Sequence, residues 1–390
     1  MRAGLIALFI LLASAAPAAA QRPRDIPPEV ADIYKNYPVV ELVTMGVGGL
    51  IWERHGHIAL CVRYADHTQD ACYNYGIGDF HRPIGMAAGF FRGTNSFWVG
   101  KMDPSFMLSI YRNADRTIWI QPLPLTDEEE QKIIAKLEYD IEDAHRYYAY
   151  DHFWDNCTTR VRDILDDATG GKLRKLVGPP DNRTYRDLAR GGFYGMRIPL
   201  LITDMAMGRK TDRVPTYYEK MFLPDYLREA AEQAWHIKPI PVYERRGPPP
   251  LTDGPSGRVL LALVILLMTA PAWATRLWGR FQRAGLGVAV VPYAFLGLVF
   301  WFLAIISPLP YVRWNETCLV LLPTDILMVW FLSSERRRRY ARGRVVMLGL
   351  IALLMIVGVL KQPIWPSLLW PLVPAAVVGF WPNQGAEKRK

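Results

Sequence analysis

The sequence contains few of the residues that build metal centres or disulfide frameworks. Its 390 residues include four cysteines and seven histidines. No two cysteines have Cys-x-x-Cys spacing and no His-Glu-x-x-His segment occurs, so the usual zinc-binding patterns are absent. No internal repeat is found, so nothing indicates a repeat architecture.

The N-terminus has the pattern of a cleavable signal peptide over residues 1–20. Met1 and Arg2 form a short basic start, residues 5–12 are apolar, and three alanines at 18–20 offer a small-residue cleavage pattern before Gln21. The alternative is a first membrane helix that stays attached, but this apolar run is short and interrupted. No cysteine stands at the cleavage point, so we do not expect the chain to be a lipoprotein itself.

Hydrophobic residues make up 51% of the chain and are concentrated towards its C-terminus. Spanning ~30 Å of hydrocarbon takes a helix of about 20 residues, and about 17 are tolerated. Five apolar segments meet this requirement, at 259–275, 284–306, 317–333, 345–360 and 363–381. We therefore predict an extracytoplasmic domain at 21–244, a proline-rich linker at 245–257, an all-α membrane bundle of five helices at 258–382 and a cytoplasmic tail at 383–390.

Basic residues alternate between the loops of the predicted bundle. Three regions are rich in them: Arg276, Arg280, Arg283, then Arg336, Arg337, Arg338, Arg339, Arg342, Arg344, then Lys388, Arg389 and Lys390. The other two loops hold only Arg313 and Lys361. Because arginine and lysine favour cytoplasmic loops, this pattern predicts an extracytoplasmic N-terminal domain. The net charge of +9 comes largely from these loops and does not indicate nucleic-acid binding.

The extracytoplasmic domain alternates strand and helix patterns, which predicts an α+β fold. Strands are expected at 39–44, 58–64, 71–75, 96–101 and 117–123, and helices at 50–54, 84–91, 106–112, from Thr126 to about 147, and at 158–168. Thr126 and Glu129 form the capping box of the long helix. Cys61 and Cys72 lie symmetrically about the turn of the hairpin formed by 58–64 and 71–75. An oxidising compartment permits a disulfide there, but the sequence leaves the pairing open.

Two short stretches carry residues suited to catalysis. An Arg-His-Gly-His stretch at 54–57 places the imidazole of His57 at the start of a strand. An Asp-Asn-Cys-Thr stretch at 155–158 places Cys157 in the first turn of a helix. Backbone N–H groups and the helix dipole favour a thiolate there, so we expect the pKa of Cys157 to be lowered. A nearby imidazole would complete an activated nucleophile.

Each of these residues also has a structural interpretation. A lone cysteine at a helix start is more often a small buried residue than a nucleophile, and a lone histidine is usually structural. A zinc site is a further alternative, although the spacing does not support it. Its ligands would come from His55, His57, His67, His81 and His152.

Several motifs together resemble the Lnb family of lipoprotein N-acyltransferases. They are Trp-Glu-Arg-His-Gly-His at 52–57, Tyr-Asn-Tyr-Gly at 73–76 with Asp-Phe at 79–80, Asp-Asn-Cys-Thr-Thr-Arg at 155–160 with Asp at 163, and Met-Phe-Leu-Pro at 221–224. The resemblance covers the whole mature chain and includes Trp314, Asn315 and Pro323 in the membrane part. His55 departs from the pattern, because an aromatic residue such as Phe is expected there. The Gly-His pair matches at His57.

The resemblance implies a circularly permuted papain-like (NlpC-like) fold in which the histidine strand precedes the cysteine helix. It implies Cys157 as nucleophile, His57 as base and, with an ordinary turn amide as the alternative, Asn74 as the group that orients the imidazole. No cofactor and no metal are expected.

The implied reaction moves an acyl chain from a membrane phospholipid, through a thioester on Cys157, to the N-terminal amine of a diacylglyceryl lipoprotein. It would take place at the periplasmic face of the bacterial inner membrane. Residues 198–207 could line an acyl path or form a core helix. Two alternatives to this function stay open: a membrane-anchored cysteine peptidase or amidase acting on peptidoglycan, and a non-catalytic envelope assembly factor.

The charge pattern makes a prediction about topology. A reporter enzyme that is active only in the cytoplasm should be inactive when fused after Arg245 and active when fused after Arg344, because the basic loops face the cytoplasm. The measurement is reporter activity at equal fusion abundance. Activity after Arg245 would reverse the orientation.

Overall fold

A computed structural model describes residues 28–79, 83–94, 96–251 and 253–381. The predicted signal peptide at 1–20 and the predicted tail at 383–390 lie outside the described residues. The described part combines an antiparallel sheet in its N-terminal half with a helical C-terminal region. The predicted α+β class is confirmed, while the papain-like topology stays a prediction.

A seven-stranded sheet forms the centre of the N-terminal half. Its strands are β1 (Val39–Met45), β2 (His57–Arg63), β3 (Ala71–Ile77), β4 (Ser96–Met102), β5 (Ile118–Pro122), β6 (Tyr147–Ala149) and β7 (Ile240–Tyr243), in the order β6-β4-β3-β2-β1-β5-β7. Every neighbouring pair is antiparallel. All seven residues of β1 are buried, so both faces of the sheet are covered at its centre.

The described residues of the N-terminal half also form nine α-helices. They are α1 (Pro28–Ile33), α2 (Pro83–Arg92), α3 (Pro104–Asn113), α4 (Asp127–Ile141), α5 (Cys157–Ala168), α6 (Tyr185–Gly191), α7 (Arg197–Ala206), α8 (Tyr217–Lys220) and α9 (Pro224–Trp235). Of these, α3, α4, α5 and α9 pack against the strands of the sheet. Alternate strand residues face opposite ways. Leu42 and Leu60 therefore pack with Leu165 of α5, while Val43 and Ala59 pack with Met107 of α3.

The C-terminal region begins after residue 257 and is helical. It contains α10 (Arg258–Trp278), α11 (Gln282–Ile306), α12 (Pro310–Arg313), α13 (Thr317–Val320), α14 (Ser334–Ile356) and α15 (Trp365–Phe380). By length and composition, α10 and α11 are the described helices that could cross a membrane, and α15 is a shorter apolar helix.

The hairpin of β2 and β3 carries a disulfide. Cys61 and Cys72 are directly paired in the ladder, and a Cys61–Cys72 bridge joins them. The pairing that the sequence left open is therefore present.

Three predicted helices are wrong in extent. One is the predicted membrane helix at 345–360, because α14 runs from Ser334 to Ile356 and contains the basic residues at 336–344 that the sequence placed in a loop. The capping box of Thr126 and Glu129 forms as predicted, but α4 ends at Ile141 instead of near 147. Residues 147–149 pair with β4 as the edge strand β6, because Tyr148 opposite Phe97 buries its ring in the core. Cross-strand pairing therefore determines that residues 147–149 form a strand, and the local sequence pattern does not predict it.

The third predicted membrane helix, at 317–333, is also wrong as a continuous helix. It is broken into α13 and a 3-10 helix at Pro323–Met328. Proline cannot donate the backbone hydrogen bond that a helix interior needs. The fully buried Asp325 accepts two hydrogen bonds from Arg344, at 2.7 and 2.9 Å. Arg344 also donates to the carbonyl of Val320 at 2.8 Å. This side chain therefore supplies a hydrogen bond to a backbone carbonyl at the point where the helix is interrupted.

The N-terminal domain is held to the C-terminal helices through α7. The carbonyl of Met205 accepts hydrogen bonds from the Asn315 amide at 2.8 Å and the Thr317 hydroxyl at 2.9 Å. The amide of Gln362 donates to the carbonyl of Asp204 at 3.0 Å. Because these donors are buried, they fix α7 against segments that lie far apart in the sequence.

The Asp325–Arg344 pair should be essential for the stability of the helical region. Arg344→Ala removes the cation from a buried carboxylate, which keeps the Tyr340 hydroxyl as a donor, and also removes the side-chain donor to the Val320 carbonyl. We therefore expect a loss of about 3–5 kcal/mol. Arg339→Ala is the control, because the Arg339–Glu335 pair is exposed and should contribute less than about 1 kcal/mol. Thermal unfolding in detergent checks both. Equal melting temperatures for the two variants would contradict a structural role for the buried pair.

Candidate active site

Cys157 is the first residue of α5, and the side chain of Asn156 fixes its position. The Asn156 oxygen accepts hydrogen bonds from the backbone N–H groups of Thr158 at 2.8 Å and Thr159 at 2.9 Å. Its amide nitrogen donates to the carbonyls of His152 at 2.8 Å and Phe222 at 2.9 Å. A capping residue normally binds only its own helix. Asn156 also binds two other segments and thereby locates the thiol within the fold.

His57 opens β2 and is paired with Asn74 on the neighbouring strand β3. The imidazole Nε2 lies 3.2 Å from the Asn74 Oδ1, and an amide oxygen can only accept, so Nε2 carries the proton. The Nδ1 atom then keeps its lone pair and can act as a base. Asn74 is buried, and its amide nitrogen donates to the sulfur of Met107 at 3.3 Å.

Two glycines let the backbone approach at this site. Gly56 has φ +80°, and a Cβ there would lie 2.9 Å from the carbonyl oxygen of Met45. Gly76 has φ +81°, and a Cβ there would lie 3.4 Å from the Cβ of Cys157. A side chain at either position would strain the backbone.

Cys157 and His57 line the same cavity, which has a volume of about 390 Å³. Its walls are mostly aromatic and aliphatic: Ile51, Trp52, Phe91, Phe97, Tyr150, Phe193, Phe222 and Pro224. A separate polar cleft of about 580 Å³ lies between α4 and α5, lined by charged residues that include Lys132, Asp140 and Arg160, but not by Cys157. The thiol therefore faces the apolar cavity.

A second pair of histidines lies in the same cavity. The ring centroids of His55 and His152 are 4.8 Å apart, and His55 also meets Phe193 edge-on at 5.3 Å. Burial lowers the pKa of His55 well below its usual value, and burial lowers the pKa of His152 to about 4. Both rings are neutral at pH 7. The structure brings His57, not His55, to Asn74.

The zinc alternative gains no support from the described part of the chain. Within it, no group of three His, Cys, Asp or Glu side chains is placed to hold a metal ion. His67 lies on the hairpin turn, where it pairs with Asp70, and His81 lies outside the described residues.

The prediction of a lowered pKa for Cys157 is wrong. Burial raises its pKa above the usual value for a thiol, and this effect exceeds the opposing hydrogen bonds from the Thr158 side chain and from backbone groups, including that of Ile58. Burial and, to a smaller extent, the charge of Arg116 lower the pKa of His57, and together with the opposing hydrogen bond from Asn74 they bring it to about 4. At pH 7 the site therefore holds a neutral thiol and a neutral imidazole.

Arg116 is a residue of this site that the sequence reasoning missed. It is only 3% exposed and donates to the carbonyl of Gly46 at 2.7 Å. Its guanidinium lies 4.8 Å from the ring centre of Tyr111, and that ring stacks on His57 at 5.9 Å. Arg116 is thus a buried cation behind the imidazole. The glycine-rich turn at 46–49 is the one sequence feature linked to it, because the Gly46 carbonyl of that turn accepts its hydrogen bond.

One comparison with known proteins gives a match. Residues 30–191 match the family model of the Lnb N-terminal periplasmic domain. This part of the chain is of the Lnb type. The match contains Cys157, His57 and Asn74, and it confirms the resemblance over residues 30–191, while the motifs at 221–224 and in the C-terminal region lie outside it. No curated protein and no solved structure gives a significant match.

The Lnb domain, residues 30–191, is followed by two helices that could cross a membrane. Together these findings support an envelope membrane protein whose N-terminal domain is periplasmic.

The neutral state of the pair can be tested by alkylation. Because iodoacetamide reacts with the thiolate and the pKa of Cys157 is raised, we expect its alkylation rate to rise about tenfold per pH unit from pH 6 to 9. Mass spectrometry of the Cys157 peptide measures this rate in the full chain. A free cysteine-containing peptide with the 155–160 sequence is the control. A constant rate between pH 5 and 8 would indicate a thiolate–imidazolium pair and contradict the neutral state.

Proposed function

We propose that the chain is an inner-membrane acyltransferase that moves an acyl group from a phospholipid, through a thioester on Cys157, to the N-terminal amine of a diacylglyceryl lipoprotein. The observation that carries the proposal is the apolar, uncharged cavity that contains both Cys157 and His57. An acyl chain needs such surroundings, because burying apolar surface is its main source of binding free energy.

The position of the cavity supports a substrate that resides in the membrane. Phe91 and Phe222 of its wall pack in one cluster with Leu303 at the end of α11 and with Leu309 and Tyr311 beyond it. The apolar lining of the cavity is therefore continuous with the end of a helix that could span the bilayer.

In the first half-reaction, His57 Nδ1 would take the thiol proton as the Cys157 sulfur attacks the ester carbonyl carbon. The carbon–sulfur bond forms, and the carbon–oxygen bond to the glycerol then breaks. The imidazolium gives its proton to the leaving alkoxide, which departs as a lysophospholipid. Because the pKa of His57 is lowered to about 4, the imidazolium is a strong acid for this step.

In the second half-reaction, the neutral amine of the acceptor would attack the thioester carbonyl, and His57 would take a proton from the nitrogen. The carbon–sulfur bond breaks, an amide forms, and the thiol regains its proton. The backbone N–H of Cys157, at the start of α5, would stabilise the oxyanion of each tetrahedral intermediate.

Two observations weigh against the alternative functions. A peptidase that acts on the cell wall would be favoured by a charged groove at Cys157, but the charged cleft lies on another face of α5. A non-catalytic factor would be favoured by an orienting group remote from His57, but Asn74 lies 3.2 Å from its ring.

The proposal predicts a specific pattern of variants. Cys157→Ala should abolish acyl transfer at near-normal abundance, since it removes the covalent intermediate but costs only about 1 kcal/mol of stability. His57→Ala should lower transfer by about 10²–10⁴-fold, the usual contribution of a general base. The assay is N-acylation of a purified diacylglyceryl lipoprotein in membranes that contain each variant.

His55→Phe is the matched control, because it changes the other histidine of the stretch and moves towards the family pattern. It should keep most of the activity, because the ring of Phe193 packs edge-on against the His55 ring and can make the same contact with a phenylalanine. Full activity in Cys157→Ala would refute the mechanism. Loss in His55→Phe with activity retained in His57→Ala would mean that the other histidine is the base.

A further inference from the structure

Six exposed apolar side chains lie on the segments that form and adjoin the cavity rim. Leu50, Ile51 and Trp52 are 51%, 45% and 44% exposed, and the last two also line the cavity. Ile198 and Ile202 on α7 and Leu251 before α10 are at least half exposed. These six residues are called the rim surface below. Exposed apolar residues that are grouped in this way mark a binding surface rather than ordinary scatter.

Hydrogen bonds join the two halves of the rim surface. Arg54, just after Trp52, donates to the carbonyls of Gly192 and Tyr194, each at 2.7 Å. The loop 192–196 therefore lies beside the turn at 50–53, and its Phe193 lines the cavity. The same loop reaches Leu251, because a Cβ on Gly195 would lie 3.1 Å from the Leu251 side chain.

The helix α7 contributes two residues to the rim surface and also contacts the ends of C-terminal helices. A Cβ on Gly257, immediately before α10, would lie 3.1 Å from Leu201 and 3.6 Å from Leu200. Further along α7, Met205 is bound by Thr317 at the start of α13. The helix therefore contacts the ends of at least two C-terminal segments along its length. Ile198 and Ile202, four residues apart, are exposed on the same side of α7 as Leu201 and Met205, which pack against the C-terminal helices.

We propose that the rim surface is immersed in the outer leaflet of the phospholipid bilayer and that the donor lipid passes sideways from this leaflet into the cavity between Trp52 and Phe193. The lipid route rests on the proposed function, whereas the immersion rests on the exposed apolar side chains of the rim surface and on the contacts of α7. The partner is a lipid surface because the rim surface continues from helices that could cross a membrane. Amphipathic helices lie at this depth, and tryptophan is enriched there. The exposed Arg197 beside Ile198 can reach lipid phosphates.

Depth-dependent quenching tests the immersion directly. The full chain, with Cys157→Ser and Cys318→Ala, receives Leu50→Cys and an environment-sensitive fluorophore, and is placed in phosphatidylethanolamine–phosphatidylglycerol nanodiscs with brominated acyl chains. Val177→Cys is the control, since Val177 is 84% exposed and lies outside the rim surface. We expect strong quenching at Leu50 and little at Val177. Equal quenching at both positions would overturn the proposal.

Two further outcomes separate the proposal from its competitors. If the signal at Leu50 depends on the number of chains per nanodisc rather than on bromination, the rim surface binds a second copy and the proposal is wrong. For the lipid route, Leu50→Asp should lower transfer from membrane phospholipid by about tenfold, the cost of withdrawing one large apolar side chain from the leaflet. Val177→Asp should leave it unchanged, and the Cys157 alkylation rate should confirm that both variants are folded.

The result also distinguishes the rim surface from the proposed chemistry. Quenching at Leu50 together with no acyl transfer in the unaltered chain would remove the proposed function and leave the immersion standing. Acyl transfer in the unaltered chain without quenching at Leu50, and with full activity in Leu50→Asp, would refute the immersion and leave the proposed function standing.

Discussion

The four hydrogen bonds of the Asn156 side chain are the constraint on which the candidate site depends. Two of them cap α5, and two reach the carbonyls of His152 and Phe222. Because the side chain is buried, losing any of these partners would leave a polar group unsatisfied at a cost of about 1–3 kcal/mol. The same interaction thus starts the helix that carries Cys157 and places two cavity walls around the thiol.

Burial, rather than charge, determines the electrostatics of the site. A helix start ordinarily favours a thiolate, yet Cys157 lies among aromatic side chains, where desolvation of the anion has the larger effect. The same surroundings keep His57 neutral, and the buried Arg116 adds to this. A neutral pair in an apolar cavity suits a lipid ester better than a charged peptide, because neither substrate binding nor water exclusion must work against a resident ion pair.

The helix α7 connects this chemistry to the membrane region. Its carbonyl groups at Asp204 and Met205 accept hydrogen bonds from Asn315, Thr317 and Gln362, so α7 is fixed against the C-terminal helical region. The cavity rim and the outer face of α7 therefore act as one unit with the C-terminal helices.

The local pattern of the sequence determined the hairpin of β2 and β3, the capping of α4, the start of α5 and the apolar helices α10 and α11, because each depends on periodicity or on caps within a few residues. It also singled out Cys157 and His57, and the resemblance to the Lnb family added Asn74. The structure brings all three residues to one site. Tertiary structure alone decided the strand β6, the broken segment at 317–333, the raised pKa of Cys157 and the presence of Arg116 behind His57. Each of these depends on partners far away in the chain, since cross-strand pairing, a buried ion pair and desolvation are properties of the folded surroundings and leave no local pattern.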